Sequence, residues 1–117
     1  MKDDISQVKS ELFAVRIIEL YKYLSGSKKE FVLSRQILRS GTSIGANISE
    51  AGYAISKKDF LSKKYIALKE AVETLYWLRL LHKTAFLPET EFNSLYKDCQ
   101  ELVKILVAAT KSIKTKL

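Results

Sequence analysis

Few side chains in this sequence could carry chemistry, and their spacing argues against most of it. His82 is the one histidine, near a helix end where imidazole more often packs or caps than acts as a base. Carboxylate-bridged metal pairs in helical bundles need Glu-x-x-His motifs together with glutamates on facing helices. Glu70-x-x-Glu73 has no histidine partner and lies opposite the apolar stripe of its own helix, so no di-iron site is expected. Cys99 falls within an apolar stripe and reads as a small buried hydrophobe. Gly41-Thr42-Ser43-Ile44-Gly45 invites comparison with a phosphate loop, which needs Gly-Lys-Ser/Thr between a strand and a helix. Neither is present. No catalytic residue, metal ligand or cofactor-binding residue is therefore assigned, and no enzymatic activity is expected. Glu50, Glu70 and His82 are the groups from which a rival active site at a subunit interface could assemble.

The cations point elsewhere. Twenty basic residues stand against thirteen acidic ones, a net charge of +7, which suits an anionic partner although it also serves solubility. Arg35 and Arg39 sit one turn apart on one helix, and Lys57, Lys58, Lys63 and Lys64 cluster at the start of the next. RNA or DNA bound by these six would be held by its backbone with little sequence preference, since no base-reading motif is visible. Lys111, Lys114 and Lys116 follow the last acidic residue, Glu101. They suit a polyanion or, equally, a solvated helix end complementing the dipole. The two arginines could instead pair with carboxylates of another subunit.

The elements that must position these groups are helices. A chain of 117 residues is expected to be one domain, 1–117, and one proline with four glycines favours long helices over turn-rich β structure. Four stretches carry a helical pattern: Asp3 to Leu24, Glu30 to Ala51, Lys57 to Lys83, and a last one opening near Pro88 as its first residue. The breaks fall at Ser25–Lys29, with Gly26 as a C-cap, at Gly52–Ser56, with Ser56 as an N-cap, and at Thr84–Leu87. Short connections make consecutive helices antiparallel, so the expected fold is an all-α, up-down-up-down four-helix bundle.

On the first helix Phe13, Ala14, Ile17, Ile18, Leu20, Tyr21 and Leu24 sweep an arc of about 160°. Val8, Leu12 and Val15 lie outside that arc, more apolar surface than one bundle seam needs. The third helix has a core stripe at Phe60, Leu61, Leu68, Ala71, Val72, Leu75 and Leu78. Its other side mixes Ile66 and Trp77 with Glu70 and Glu73, extended by Leu80 and Leu81, and is the expected oligomer interface; the plainer alternative is an aromatic resting on a monomer surface. Phe92, Leu95, Tyr96, Cys99, Leu102, Val103, Leu106 and Ile113 make a clean stripe on the fourth. No apolar run approaches the ~20 residues of a membrane span. The polar start Met1-Lys2-Asp3-Asp4 is unlike a signal peptide, and a single cysteine suits a reducing compartment. The expected location is the cytoplasm, with no membrane partner.

The second helix is the most distinctive. Ser34 to Ala51 (SRQILRSGTSIGANISEA) holds two glycines and several hydroxyl residues, and each interior glycine costs roughly 1 kcal/mol against alanine. Gly41, Gly45 and Gly52 share a side with Ile37, Ile44 and Ile48, an apolar but nearly flat surface. Gly41, Gly45 and Ile48 are therefore assigned to close helix packing. This stretch, with Ala67-Leu68-Lys69-Glu70-Ala71, Glu73-Thr74 and Tyr76-Trp77-Leu78-Arg79-Leu80-Leu81, resembles the four-helix-bundle proteins encoded in intervening sequences of bacterial 23S rRNA genes, sometimes labelled ribosomal-protein-like. The likeness runs from about Leu12 to Ile113. The commoner members carry Pro at the place of Gly45 and Gly at that of Ala51; this chain resembles the variety with Gly-Thr-Ser ahead of the asparagine. The resemblance implies a homopentameric ring without established enzymatic activity. It also implies a link to the accessory subunits of diversity-generating retroelements, which bind a reverse transcriptase and nucleic acid.

Overall fold

The computed structural model describes residues 5–115, with the side chains of 114 and 115 left aside. The expected helix start at Asp3 and the side chains of Lys114 and Lys116 lie outside what is described. The described residues form four helices: α1 (Ile5–Gly26), α2 (Leu33–Ala51), α3 (Lys57–Lys83) and α4 (Glu89–Thr115). Among the described residues there is no strand.

Cross-helix contacts fix the directions. Gly41 faces Ile17 and Gly45 faces Ser10; Ser40 meets Thr74 while Glu50 meets Lys63; Ala71 meets Cys99 while His82 meets Phe92. In each pair of helices one number rises as the other falls, so successive helices are antiparallel. α4 returns beside α1, where Arg16 reaches both Asp98 and Glu91 and Lys9 pairs with Glu101. This α1/α4 seam is the loosest of the four helix pairs.

The core joins Phe13, Ile17, Leu20 and Leu24 of α1 to Ile37, Ile44 and Ile48 of α2, and Ala67, Ala71, Leu78 and Leu81 of α3 to Leu95, Cys99, Leu102 and Leu106 of α4. Each large aliphatic here contributes about 1.5–3 kcal/mol by leaving water. α2 approaches its neighbours closely because Ser40, Gly41 and Gly45 are all buried. A Cβ built on Gly41 would stand 2.8 Å from Ile17 Cγ1 and Cγ2, and one on Gly45 would stand 3.1 Å from Ser10 Oγ. The hydroxyls on α2 bond back into the helix: Thr42 donates to the Leu38 carbonyl and Ser43 to that of Arg39. Gly52 departs from the expected packing side. It is exposed at the end of α2, and a Cβ there would meet only the Ser49 carbonyl of its own helix.

The helix ends also differ from the sequence reading. α1 continues through Gly26, and the left-handed residue of the first connection is Lys29, with φ 55°. Glu30 does not begin α2 but caps it. Its carboxylate accepts the amides of Val32, Leu33 and Ser34 at 3.2, 3.0 and 2.7 Å, a role that the N-cap residue Val32 cannot fill. Ser56 caps α3 by accepting the Asp59 amide at 3.0 Å. After α3 the Phe86 amide reaches the Leu81 carbonyl and the Ala85 amide that of His82, closing a Schellman turn with Ala85 at φ 66°. Pro88 precedes α4 and lends its carbonyl to the Phe92 amide, one place earlier than expected.

Two α3 positions move as well, one from the expected core stripe and one from the expected interface. Val72 is 50% exposed, because Ala71 and Thr74 take the inward positions where α2 stands close. Leu81 is fully buried in its own core, not on an interface, since it lies three and seven residues after Leu78 and Thr74 on the inward side.

Candidate nucleic-acid interface

The six cations assigned to nucleic acid do not form one surface. Arg39 is engaged from within the chain. Its guanidinium donates to both Glu70 oxygens at 2.8 and 3.2 Å and to Glu73 at 2.6 Å, while the Trp77 indole donates to the same Glu73 carboxylate at 2.9 Å. The hydrogen bonds from Arg39 hold the Glu73 carboxyl below its ordinary value against the opposing effect of desolvation. The same two carboxylates, hydrogen bonds first, raise the Arg39 pKa. A phosphate would have to displace both of them. Lys63 pairs with Glu50 at 2.8 Å. Lys64 is buried, 3.4 Å from Ser6 Oγ and 5.3 Å from the centre of the Phe60 ring, so it is not a surface ligand as expected. Arg35, Lys57 and Lys58 are the remaining three of the six, and all are exposed.

Lys57 and Lys58 open α3, where positive charge opposes the helix dipole at some cost to stability. The connection before them is ordered by hydrogen bonds from the Tyr53 and Ala54 amides to Glu50 and Ala51 carbonyls, and by the Ile55 amide donating to Asp59. That turn presents Tyr53 and Ile55 to solvent at 88% and 94% exposure, the highest of the large apolar side chains. Sequence reading missed Tyr53, whose signal was an aromatic between a helix end and a lysine pair. Lys111 lies exposed at the same end of the bundle, where α4 finishes beside the start of α3.

The expected interface face is largely occupied by the chain itself. Trp77 packs partly against the core, with Tyr76 edge-on at 5.0 Å. Glu70 and Glu73 serve Arg39, Leu80 is half-buried, and Ile66 is 39% exposed. The residues of the rival active site do not converge: Glu50 is with Lys63, Glu70 with Arg39, and His82 stacks on Phe92 at 4.2 Å. Among the described residues no three His, Cys, Asp or Glu side chains gather at one point. Cys99 is buried with its thiol donating to the Ala71 carbonyl, and burial, with a lesser push from Asp98, moves its pKa up to about 12. Such a thiol stays protonated and unreactive. No described helix is long and apolar enough to cross a membrane.

Apolar surface is exposed elsewhere. On α1, Ile5, Val8, Leu12 and Val15 are 62, 45, 64 and 54% exposed and recur at intervals of three, four and three residues. On α3, Tyr65, Val72 and Tyr76 are 37, 50 and 47% exposed and share one side. Between α1 and α4 lies a groove of about 490 Å³, lined by Val15, Leu20, Tyr23, Leu87 and Pro88 together with Glu19 and the Arg16–Glu91 ion pair.

The chain matches the profile of the 23S rRNA-intervening sequence protein family over residues 2–108. A crystal structure from Bacteroides thetaiotaomicron VPI-5482, described as a protein of unknown function from the S23 ribosomal protein family, is 53% identical. It superimposes with a TM-score of 0.91, covering 95% of this chain and 99% of that one. No curated protein matches the chain.

Proposed function

This chain belongs to the 23S rRNA-intervening sequence protein family, and on that premise we propose that it works without catalysis, as a closed homo-oligomer that binds RNA or DNA through its basic ends. The observation that carries the assembly is the Ile5, Val8, Leu12, Val15 stripe of α1, an outward apolar row that the chain's own core does not use. Rows at this spacing are buried against a second helix in coiled coils, and patches of this kind mark association sites. Five copies is the number that the family resemblance implies. Each copy contributes Lys57, Lys58 and an exposed Tyr53 from one turn, a weak patch alone that repetition strengthens. The lysines supply phosphate contacts and the tyrosine a face on which an unpaired base can stack.

Fluorescence anisotropy with labelled RNA and DNA across a salt series tests the reading. Log affinity should fall linearly with log salt, and Lys57→Gln with Lys58→Gln should reduce the slope by roughly 0.7–0.9 for each phosphate that is no longer neutralised. Absence of binding at low salt would remove nucleic acid from the function. A second reading has its own support. The largely apolar groove between α1 and α4 fits an apolar segment of a protein partner, which would make the oligomer an adaptor for a protein such as a reverse transcriptase. A reverse-transcriptase gene beside this one would favour it.

A further inference from the structure

The two outward apolar rows lie on opposite corners of the bundle. α1 and α3 each pack along α2 and α4 and stand diagonally across the bundle from one another. On a helical wheel the α1 row points about 140° away from its buried residues and the α3 row about 160° away from its own. One molecule therefore carries two different outward apolar rows, one on each of two helices that stand diagonally across the bundle.

Their heights along the bundle coincide. Lys64 of α3 stands beside Ser6 of α1. Through α2 the same offset appears, since Ile17 faces Gly41 while the adjacent Ser40 meets Thr74. An α3 residue thus sits level with the α1 residue about 58 places earlier, and the helices run in the same direction. Tyr65 to Tyr76 is level with about residues 7 to 18, overlapping most of Ile5 to Val15. At 1.5 Å per residue the rows are about 15 and 16.5 Å long. Charge agrees with the apolar match: Lys69, exposed among the α3 residues, is level with Glu11, exposed beside the α1 row.

Resting on the homo-oligomer reading, we infer that the α1 row of one copy packs on the α3 row of the next, a head-to-tail contact in which Leu12 and Val15 meet Val72 and the two tyrosines. Two unlike surfaces on diagonal helices make a contact that repeats from copy to copy. Because the rows stand at equal height, a step from one copy to the next does not climb along the bundle axis. A self-matching α1-to-α1 contact would stop at two copies and leave Tyr65, Val72 and Tyr76 in water.

Mixing two blocked variants tests this. Leu12→Glu spoils the α1 row and leaves α3 whole; Val72→Glu does the reverse. Both positions are at least half exposed, so helicity by circular dichroism should match the wild type. Light scattering should find each variant alone as a monomer and an equimolar mixture as a dimer, since one intact α1 row then meets one intact α3 row. Val72→Glu retaining the wild-type mass would overturn the inference while leaving a homo-oligomer in place. A mixture that stays monomeric would also overturn it. A monomeric wild type would instead remove the oligomer reading on which it rests.

Discussion

Gly41 lies against Ile17 so closely that a single methyl group on its Cα would come within 2.8 Å of two Ile17 carbons. Gly41→Ala gains about 1 kcal/mol of helix propensity but forces a β-branched, fully buried side chain to move, and overpacking of this kind costs about 1–3 kcal/mol. The expected result is a net loss of about 1 kcal/mol in urea denaturation. Gly26 gives the contrast, since nothing lies within 4 Å of a Cβ placed there, and Gly26→Ala should raise stability by about 0.5–1 kcal/mol. Equal effects at the two sites would contradict the close α1/α2 approach.

Acid sensitivity should trace to two glutamates. Glu30 has its pKa lowered: desolvation acts to raise it, but the amides of Leu33, Ser34 and Val32 together outweigh that effect. Glu73 is lowered chiefly by Arg39. A carboxyl whose folded pKa lies below its unfolded value near 4.5 stabilises the fold above that value, and the contribution disappears as pH falls through the folded pKa. Glu30→Gln and Glu73→Gln should each flatten the loss of melting temperature below pH 4.5, and Glu30→Ala should cost about 1 kcal/mol at pH 7 as a lost cap. An unchanged acid profile in both glutamine variants would show that neither carboxylate matters to the fold.

Ala85 occupies a left-handed conformation with φ 66° at the end of α3, which costs an L-residue roughly 1–2 kcal/mol and glycine almost nothing. Ala85→Gly should therefore stabilise the protein by about 0.5–1 kcal/mol after its greater unfolded-state freedom is counted. A destabilised variant would mean that the Leu81–Phe86 turn is not closed as described.

What the sequence revealed follows physical range. The α4 stripe through Leu95, Cys99, Leu102 and Leu106 was legible because it repeats at the helical period, and the flat side of α2 because interior glycines are costly. The apolar surplus on α1 was visible in Val8, Leu12 and Val15, which no single seam could use. Contacts between distant residues were not legible: Arg39 meets Glu70 and Glu73 across 31 and 34 positions, and no local pattern announces such a pair. That pairing removed both an expected phosphate ligand and part of an expected interface. Lys64 looked like its surface neighbours because charge hides burial, and Leu80 and Leu81 looked alike although one helical step separates a half-exposed position from a core one. Glu30 does carry a local signal, a carboxylate four residues before Ser34 where Val32 offers no cap.

Assembly is the premise on which the contact between the α1 and α3 rows rests, and the mass of the intact protein in solution tests it most directly. Sedimentation equilibrium at micromolar concentration and physiological salt should give an integral multiple of the 13.4 kDa chain, with five the multiple favoured by the family resemblance. A single species at the mass of one chain would contradict the account, because the exposed rows on α1 and α3 would then face water in the working protein.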